Sequence, residues 1–324
     1  MKPNVNPILV GLVAGLVAAV FMVVSAYVPI LIFVAPFVGL TIISVTSLGF
    51  GNVAGMAAIA VSFIVLCLFT SSVEVGLLFA LPLLPALAMS YAANLARPAP
   101  EIGGPDHSVA WYPLSDILLI AAICSGALMM LIFLVVAPDM DVSSSVELAS
   151  QTMQRMQPGL VIAPEMKASM VVFTKKFAPP IYAGLYLLLL FACFYFAMRI
   201  LAALKLNTRP REDIRSSLRM NRMAIAIFLG GIVLAFANPP LSTIGSIFVG
   251  ATAAGFMLAG YALIHEAVRN KRWALSALLA LYFVTFFFLP VLAFIVCIAG
   301  GLANPRRAIA LTPNNPDQTP TNQP

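Results

Sequence analysis

PNVNPILVGLVAGLVAAVFMVVSAYVPILIFVAPFVGLTIISVTSLGFGNVAGMAAIAVSFIVLCLFTSSV, residues 3–73, decides the fold class: 71 consecutive positions between Lys2 and Glu74 carry no Asp, Glu, Lys or Arg. A helix crossing a bilayer needs roughly 20 apolar residues, so this stretch alone has room for three crossings. The remainder of the 324-residue chain is of the same kind. It is 61% hydrophobic and 9% charged overall, against about 25% charged in soluble domains. A soluble fold must cover its outside with polar groups, and this chain has too few. Lipid is the solvent that fits, and the fold class follows: an all-α, polytopic transmembrane bundle.

Working outward, residues 8–26 end in Val24-Ser25-Ala26, a faint cleavage-site pattern. The apolar run is longer than a signal-peptide core and further spans follow at once, so it is expected to remain as the first span. The others are expected at 29–45, 52–69, 75–95, 113–137, 180–204, 223–236 and 241–265, with a last apolar stretch at 273–303, giving about nine. The seventh is short for a span, with Arg222 placed to snorkel at its end. The last is broken at Pro290 and reads either as one tilted, kinked helix or as a hairpin. Residues 1–311 form one transmembrane domain on this reading. A polar linker (97–109), a long loop (138–179) and a basic loop (205–222) interrupt it. Residues 312–324, all Pro, Asn, Thr, Gln and Asp, are expected to be disordered.

Basic residues orient the bundle through the positive-inside rule. Lys205, Arg209, Arg211, Arg215, Arg219 and Arg222 follow the sixth span, and Arg269, Lys271 and Arg272 follow the eighth. Arg97 and Lys2 fall on the same side by parity. That side, with the amino terminus, is expected to be cytoplasmic, in a bacterial inner membrane. The 138–179 loop then faces outward, and its charges cancel. Ser144 to Gln157 and Pro164 to Lys176 are expected to form two helices there, capping the bundle or lying on the membrane surface. Arg306 and Arg307 favour the hairpin at Pro290, which returns the tail to the cytoplasm. The formal charge of +6 reflects this topology, so no nucleic-acid partner is expected; membrane lipids are.

Candidate functional residues are few. Prolines inside spans remove a helix hydrogen bond and free a carbonyl; Pro36 and Pro82 therefore mark either plain kinks or helix breaks that line a cavity. Glu74 sits in the turn after the third span beside Ser71 and Ser72, where it could face an outward cavity. His265 ends the eighth span, and a neutral imidazole both donates and accepts. These four are the candidate ligand-binding residues. Asp116, Arg199 and Glu266 can each reach an interface and are read as structural. Gly11 and Gly15, and Ala14 and Ala18, stand four apart on the first helix, a spacing that lets helix backbones approach closely. Inside this chain that means packing; the sharper alternative is contact with another membrane subunit.

Cys67, Cys124, Cys193 and Cys297 each stand alone in apolar sequence, without a C-x-x-C pair, so neither a metal site nor a redox pair is expected. His265-Glu266 lacks the second His of H-E-x-x-H, and neither a Walker A loop nor a G-x-S-x-G elbow occurs. No catalytic residue or cofactor is expected.

Val34-Ala35-Pro36-Phe37, Trp111-Tyr112-Pro113, Pro210-Arg211, the run Gly260-Tyr261-Ala262-Leu263-Ile264-His265, Leu289-Pro290 and Gly300-Gly301 occur in an order that resembles the YybS-like family of multi-spanning bacterial membrane proteins. The likeness extends from about Pro29 to Arg307. That family has no established activity, but is distantly similar to the substrate-capture subunits of energy-coupling-factor transporters. The resemblance implies a non-enzymatic membrane component, a small-molecule uptake subunit whose first helix, at Ala14 and Ala18, meets a membrane coupling subunit served by a separate ATPase. Two alternatives stay open: an envelope assembly factor docking through its loops, and a lipid-processing enzyme using His265 and Glu266.

Overall fold

The computed structural model describes residues 5–25, 27–28, 31–136, 142–157, 159, 161–206, 209–210, 212–287, 291–292, 295–296, 298–300 and 309–313. Lys2, Ala26, Pro29, Arg211, Leu289, Pro290, Cys297, Gly301, Arg306, Arg307 and residues 314–324, all used in the sequence reading, lie outside these. Helices dominate: α1 (Pro7–Ser25), α2 (Leu31–Phe50), α3 (Asn52–Thr70), α4 (Val73–Ala80), α5 (Leu84–Asn94), α6 (Leu114–Leu131), α7 (Val142–Met156), α8 (Pro164–Ala203), the single turn α9 (Ile214–Ser217), α10 (Met223–Ala235), α11 (Leu241–Ala267) and α12 (Ala274–Phe287). A three-residue 3₁₀ turn, Leu81–Leu83, joins α4 to α5, and a π turn, Ile132–Val136, extends α6. Six helical stretches are long and apolar enough to cross a membrane: Pro7–Ser25, Asn52–Thr70, Val73–Asn94, Leu114–Leu134, Pro164–Ala203 and Leu241–Ala267. Three shorter apolar helices, Val34–Phe50, Met223–Ala235 and Ala274–Thr285, accompany them.

The bundle packs small residues inward and large apolar ones outward. On α1, Gly11, Gly15, Ala18 and Ala19 are buried, while Ile8, Leu9, Leu12, Val13, Leu16 and Val17 are exposed. Water would not tolerate that surface, whereas lipid gives no reason to bury it, so helices associate through close van der Waals contact. A Cβ added to Gly11 would meet the Ala54 carbonyl oxygen at 2.4 Å, and one at Gly15 the Ala58 carbonyl oxygen at 2.3 Å. The register fixes α1 and α3 as parallel neighbours, and Ser62 Oγ donates to the Gly15 carbonyl at 2.9 Å. By the same logic α8 and α11 run parallel, because Gly250 approaches the Pro180 backbone while Gly255 faces Leu187. Gly231 and Gly245 interlock in an antiparallel α10–α11 pair. Leu40, Ile43, Leu83, Met89, Ile117, Leu118, Leu187 and Leu190 form the centre of one continuous core.

Two features correct the sequence reading of the 138–179 loop and the linker. The second outward helix does not stop before Pro179; α8 runs unbroken from Pro164 to Ala203 through Pro179 and Pro180. The carbonyls that these prolines leave without a helix donor belong to Lys175 and Lys176, whose side chains are exposed, so water can satisfy them. At 1.5 Å per residue, 40 residues rise about 60 Å, twice a bilayer core of about 30 Å; roughly half of α8 projects. α7 packs on that projection, tied by Lys167 Nζ to Glu147 at 2.7 Å. The expected linker is partly β. Strands β1 (Ala96–Pro98) and β2 (Ser108–Trp111) pair antiparallel, Ala96 opposite Trp111.

The tail adds a third strand. β3 (Leu311–Pro313) pairs with β2, Ser108 opposite Pro313, so Thr312 and Pro313 are ordered, contrary to the expected disorder; residues 314–324 lie outside the described set. This sheet sits where α5 ends and α6 begins, the same end of the bundle as Pro7. Thr285 meets Tyr261 of α11, and Val296 lies against Gly260, the adjacent position. Eleven residues (285 to 296) of one straight helix would have advanced about 16 Å. The described residues on either side of Pro290 thus reach the same turn of α11.

Candidate functional site

The end of the bundle that carries α5's last turn, the α8–α10 connection and α11's last turn is where polar chemistry collects. Arg209 and Arg219 are only 3% and 5% exposed. Arg209 donates to Glu212 and, at 3.2 Å, to the Ala93 carbonyl, capping the negative end of α5 as a cation should. Arg219 donates to the carbonyls of Leu218 and Arg215 at 2.7 and 3.0 Å. Much of the basic loop is thus built into the fold.

Its last part descends into the bundle. Residues 218–221 are non-helical, yet Leu218, Arg219 and Met220 are buried. Met220 reaches Gly255, which lies twelve residues before Ala267 (267 − 255), ~18 Å of helix rise. Backbone in that position needs partners from the chain itself. Asn221 supplies them: its Oδ1 accepts from Met223 N at 2.9 Å, and its amide donates to Asp116 on α6. Asp116 is 4% exposed and also accepts from Ser115 Oγ at 3.3 Å. Unwound chain leading into a short apolar helix and hydrogen-bonded to a buried carboxylate on α6 is similar to the way discontinuous membrane helices build binding sites.

The loop that precedes this segment lines a pocket of about 470 Å³. Leu114, Phe191, Phe194 and Met198 form its apolar wall, and Arg199, Arg209, Glu212, Asp213, Arg215 and Arg269 its charged one. Four arginines against two carboxylates leave two positive charges. Arg209 is paired with Glu212, and Arg269 with Asp213 at 3.0 Å and Glu266 at 3.4 Å. The exposed Arg199 and Arg215 guanidiniums have no ion pair among the described residues. The volume lies in the range of small-molecule sites, about 300–1,000 Å³, and the excess charge selects an anion.

The four candidate ligand residues are not brought together, and none of them lines this pocket. Glu74 is exposed in the first turn of α4, at the opposite end. Pro82 lies in the 3₁₀ turn with its carbonyl accepting from Tyr186 Oη. Pro36 is half-buried in α2, and the neighbouring Phe37 carbonyl accepts from Thr41 Oγ1 at 2.7 Å and Cys193 Sγ at 3.4 Å. These bonds engage the Phe37 and Pro82 carbonyls; the carbonyls that the two prolines themselves leave without a helix donor are those of residues 32 and 78. His265 Nδ1 lies 2.8 Å from the Tyr261 carbonyl, which assigns it the N–H; Nε2 then accepts from Tyr282 Oη at 3.1 Å. With Tyr282 stacked on Tyr261, this group fastens α12 to α11. Gly11, Gly15 and Ala18 face into the bundle, with Ala14 partly buried beside them; α3 occupies that face, so a coupling subunit would have to meet α1 elsewhere.

Sequence reading took Asp116 as structural and Arg209 and Arg219 only as orienting charges, and passed over Asn221. Asp116 and Asn221 flank long apolar runs, the one signal that pointed to them; their pairing across 105 residues is tertiary. Among the described residues no group of three or more His, Cys, Asp or Glu side chains is placed to hold a metal ion. Comparison with protein-family models, characterised proteins and solved structures finds no match.

Proposed function

We propose that this protein is a non-enzymatic, multi-pass component of a bacterial cytoplasmic membrane, of the small-molecule uptake or handling kind, that binds an anionic ligand in the arginine-lined pocket. Eight crossings and a terminal hairpin are proposed, with both described ends of the chain on the cytoplasmic side. What supports the orientation is the concentration of Arg209, Arg215, Arg219, Arg222 and Arg269 at one end of the bundle. The observation that carries the binding role is a pocket lined by two arginines, Arg199 and Arg215, that have no ion pair among the described residues. The short α10 belongs to the same picture: its 13 residues rise about 20 Å, and the extended chain before it supplies the rest of the crossing. The kinship to the YybS-like family, and through it to substrate-capture subunits with a coupling partner and an ATPase, remains part of this proposal. The ligand site is moved from Glu74 to the opposite face.

The test is purification of the tagged protein from its native membrane in mild detergent, with mass spectrometry of retained small molecules and proteins. Wild type should retain an anionic compound that the R199Q/R215Q variant loses. Equal retention by both would refute the pocket as the site. A second reading, an envelope assembly factor, is favoured by the projecting half of α8 with α7, where Met153, Met156, Met166, Val172 and Phe173 are exposed. Recovery of envelope proteins with no small molecule would favour it instead.

A further inference from the structure

Building on the proposed binding role of the arginine pocket, we infer that its ligand is an anionic phospholipid, taken sideways from the surrounding leaflet by its phosphate group. The pocket has a lateral wall as well as an open end. Tyr195 and Arg199, one turn apart on α8, both line it, and both are exposed on the outside of the bundle, together with Phe196 and Ile200. A water-soluble anion would need only the open end. An apolar approach along Tyr195, Phe196 and Ile200 suits a chain-bearing molecule whose charge stays at the helix end. Arg199 lies four residues before the end of α8 at Ala203, about 6 Å of rise, the depth at which head-group phosphates meet a snorkelling arginine.

The electrostatics agree. Arg209 and Arg269 already have carboxylate partners, which hold the loop and leave little for a ligand. Arg199 and Arg215 approach the pocket from two different elements, α8 and α9, without a carboxylate on either among the described residues. A phosphate between them would receive charge-assisted donors from both. Glu212 and Asp213 on the loop disfavour a ligand with further negative charge there, so one phosphate on an otherwise small head group fits best. Basic pockets between membrane helices on the cytoplasmic side recognise anionic head groups in this way.

The full-length protein, delipidated in maltoside detergent, is titrated with short-chain phosphatidylglycerol, short-chain phosphatidylcholine or inorganic phosphate, read by native mass spectrometry and thermal shift. Phosphatidylglycerol should bind at least ~tenfold more tightly than phosphatidylcholine, and R199Q/R215Q should lose about a hundredfold, the scale of two charge-assisted bonds. R199K/R215K should recover part of it. R222Q/K271Q, which removes two exposed charges outside the pocket, should bind like wild type. Inorganic phosphate binding as well as the lipid would overturn the lipid inference and leave an anion site. Absence of lipid binding, alongside an R199Q/R215Q-sensitive small molecule in the native purification, would overturn the inference but not the binding role. Insensitivity of every ligand to R199Q/R215Q would remove both.

Discussion

Exchanging Asp116 and Asn221 tests whether the unwound segment is held as described. In wild type, Asn221 caps α10 by accepting from Met223 N and donates its amide to the buried carboxylate of Asp116. Asn221→Ala removes both: about 1 kcal/mol for the cap and about 2 kcal/mol for a hydrogen bond to a charged group, some 3 kcal/mol together. Asn221→Asp keeps the cap oxygen but sets two carboxylates against each other. At ~4 Å and an effective dielectric of ~20 that repulsion is about 4 kcal/mol, so this variant should be the least stable. The combined Asp116→Asn/Asn221→Asp exchange restores one donor facing one carboxylate and keeps the cap. It should return to within ~1 kcal/mol of wild type, a coupling of the size contacting residues show. Thermal unfolding in one detergent ranks the four proteins; at about 2 °C per kcal/mol for a chain of this size, Asn221→Ala should fall by ~6 °C. An Asn221→Asp protein as stable as wild type, or an exchange no better than Asn221→Asp alone, would refute the contact and the depth assigned to residues 218–221.

Gly15→Leu should prevent stable folding instead of merely releasing a partner, because the added side chain runs into the α3 backbone at Ala58 and overpacking costs about 1–3 kcal/mol or more; a monodisperse variant with wild-type thermal stability would contradict the α1–α3 packing. Lys167 and Gln151 hold the Glu147 carboxyl below the usual carboxylate range by hydrogen bonding. A lowered folded value means the pair supports α7 above about pH 4.3, the unfolded reference, and is lost as pH falls through the lower folded value. α7 should therefore exchange amide hydrogens faster, relative to α8, in acid, and Glu147→Gln should show this at neutral pH; no difference at either pH would count against the tie. In a cysteine-free background, Lys271→Cys and Thr312→Cys should label from the same side of sealed vesicles and Glu74→Cys from the other, whereas labelling of Thr312→Cys with Glu74→Cys would require a single final crossing. His265→Ala should raise amide exchange across α12 while leaving α1–α3 unchanged, since its ring fastens α12 alone; unchanged exchange in α12 would sink that role.

The helices were legible because of where they reside. In lipid each crossing must satisfy its own backbone, so an apolar stretch of sufficient length announces itself without reference to its neighbours; six of the nine expected stretches hold a helix long and apolar enough to cross a membrane, and the other three a shorter apolar helix. The charge-free run 3–73 alone settled the class, and the clustering of Arg and Lys marked one end of the bundle. The sequence could not show how far a helix continues when its prolines have water within reach, as at Pro179 and Pro180. Nor could it show that three-residue strands far apart in the chain would pair, since Thr312 finds Val109 only when both lie at one end of the bundle. The site followed the same division. Glu74, Pro36, Pro82 and His265 stood out as local oddities, yet the fold does not bring them together and none of them lines the arginine pocket. Asp116, Asn221, Arg199 and Arg215 looked ordinary because their meaning is relational. Desolvation of a carboxylate, and the absence of a counter-charge beside an arginine among the described residues, depend on what the fold brings within a few ångströms, which spacing along the chain does not record.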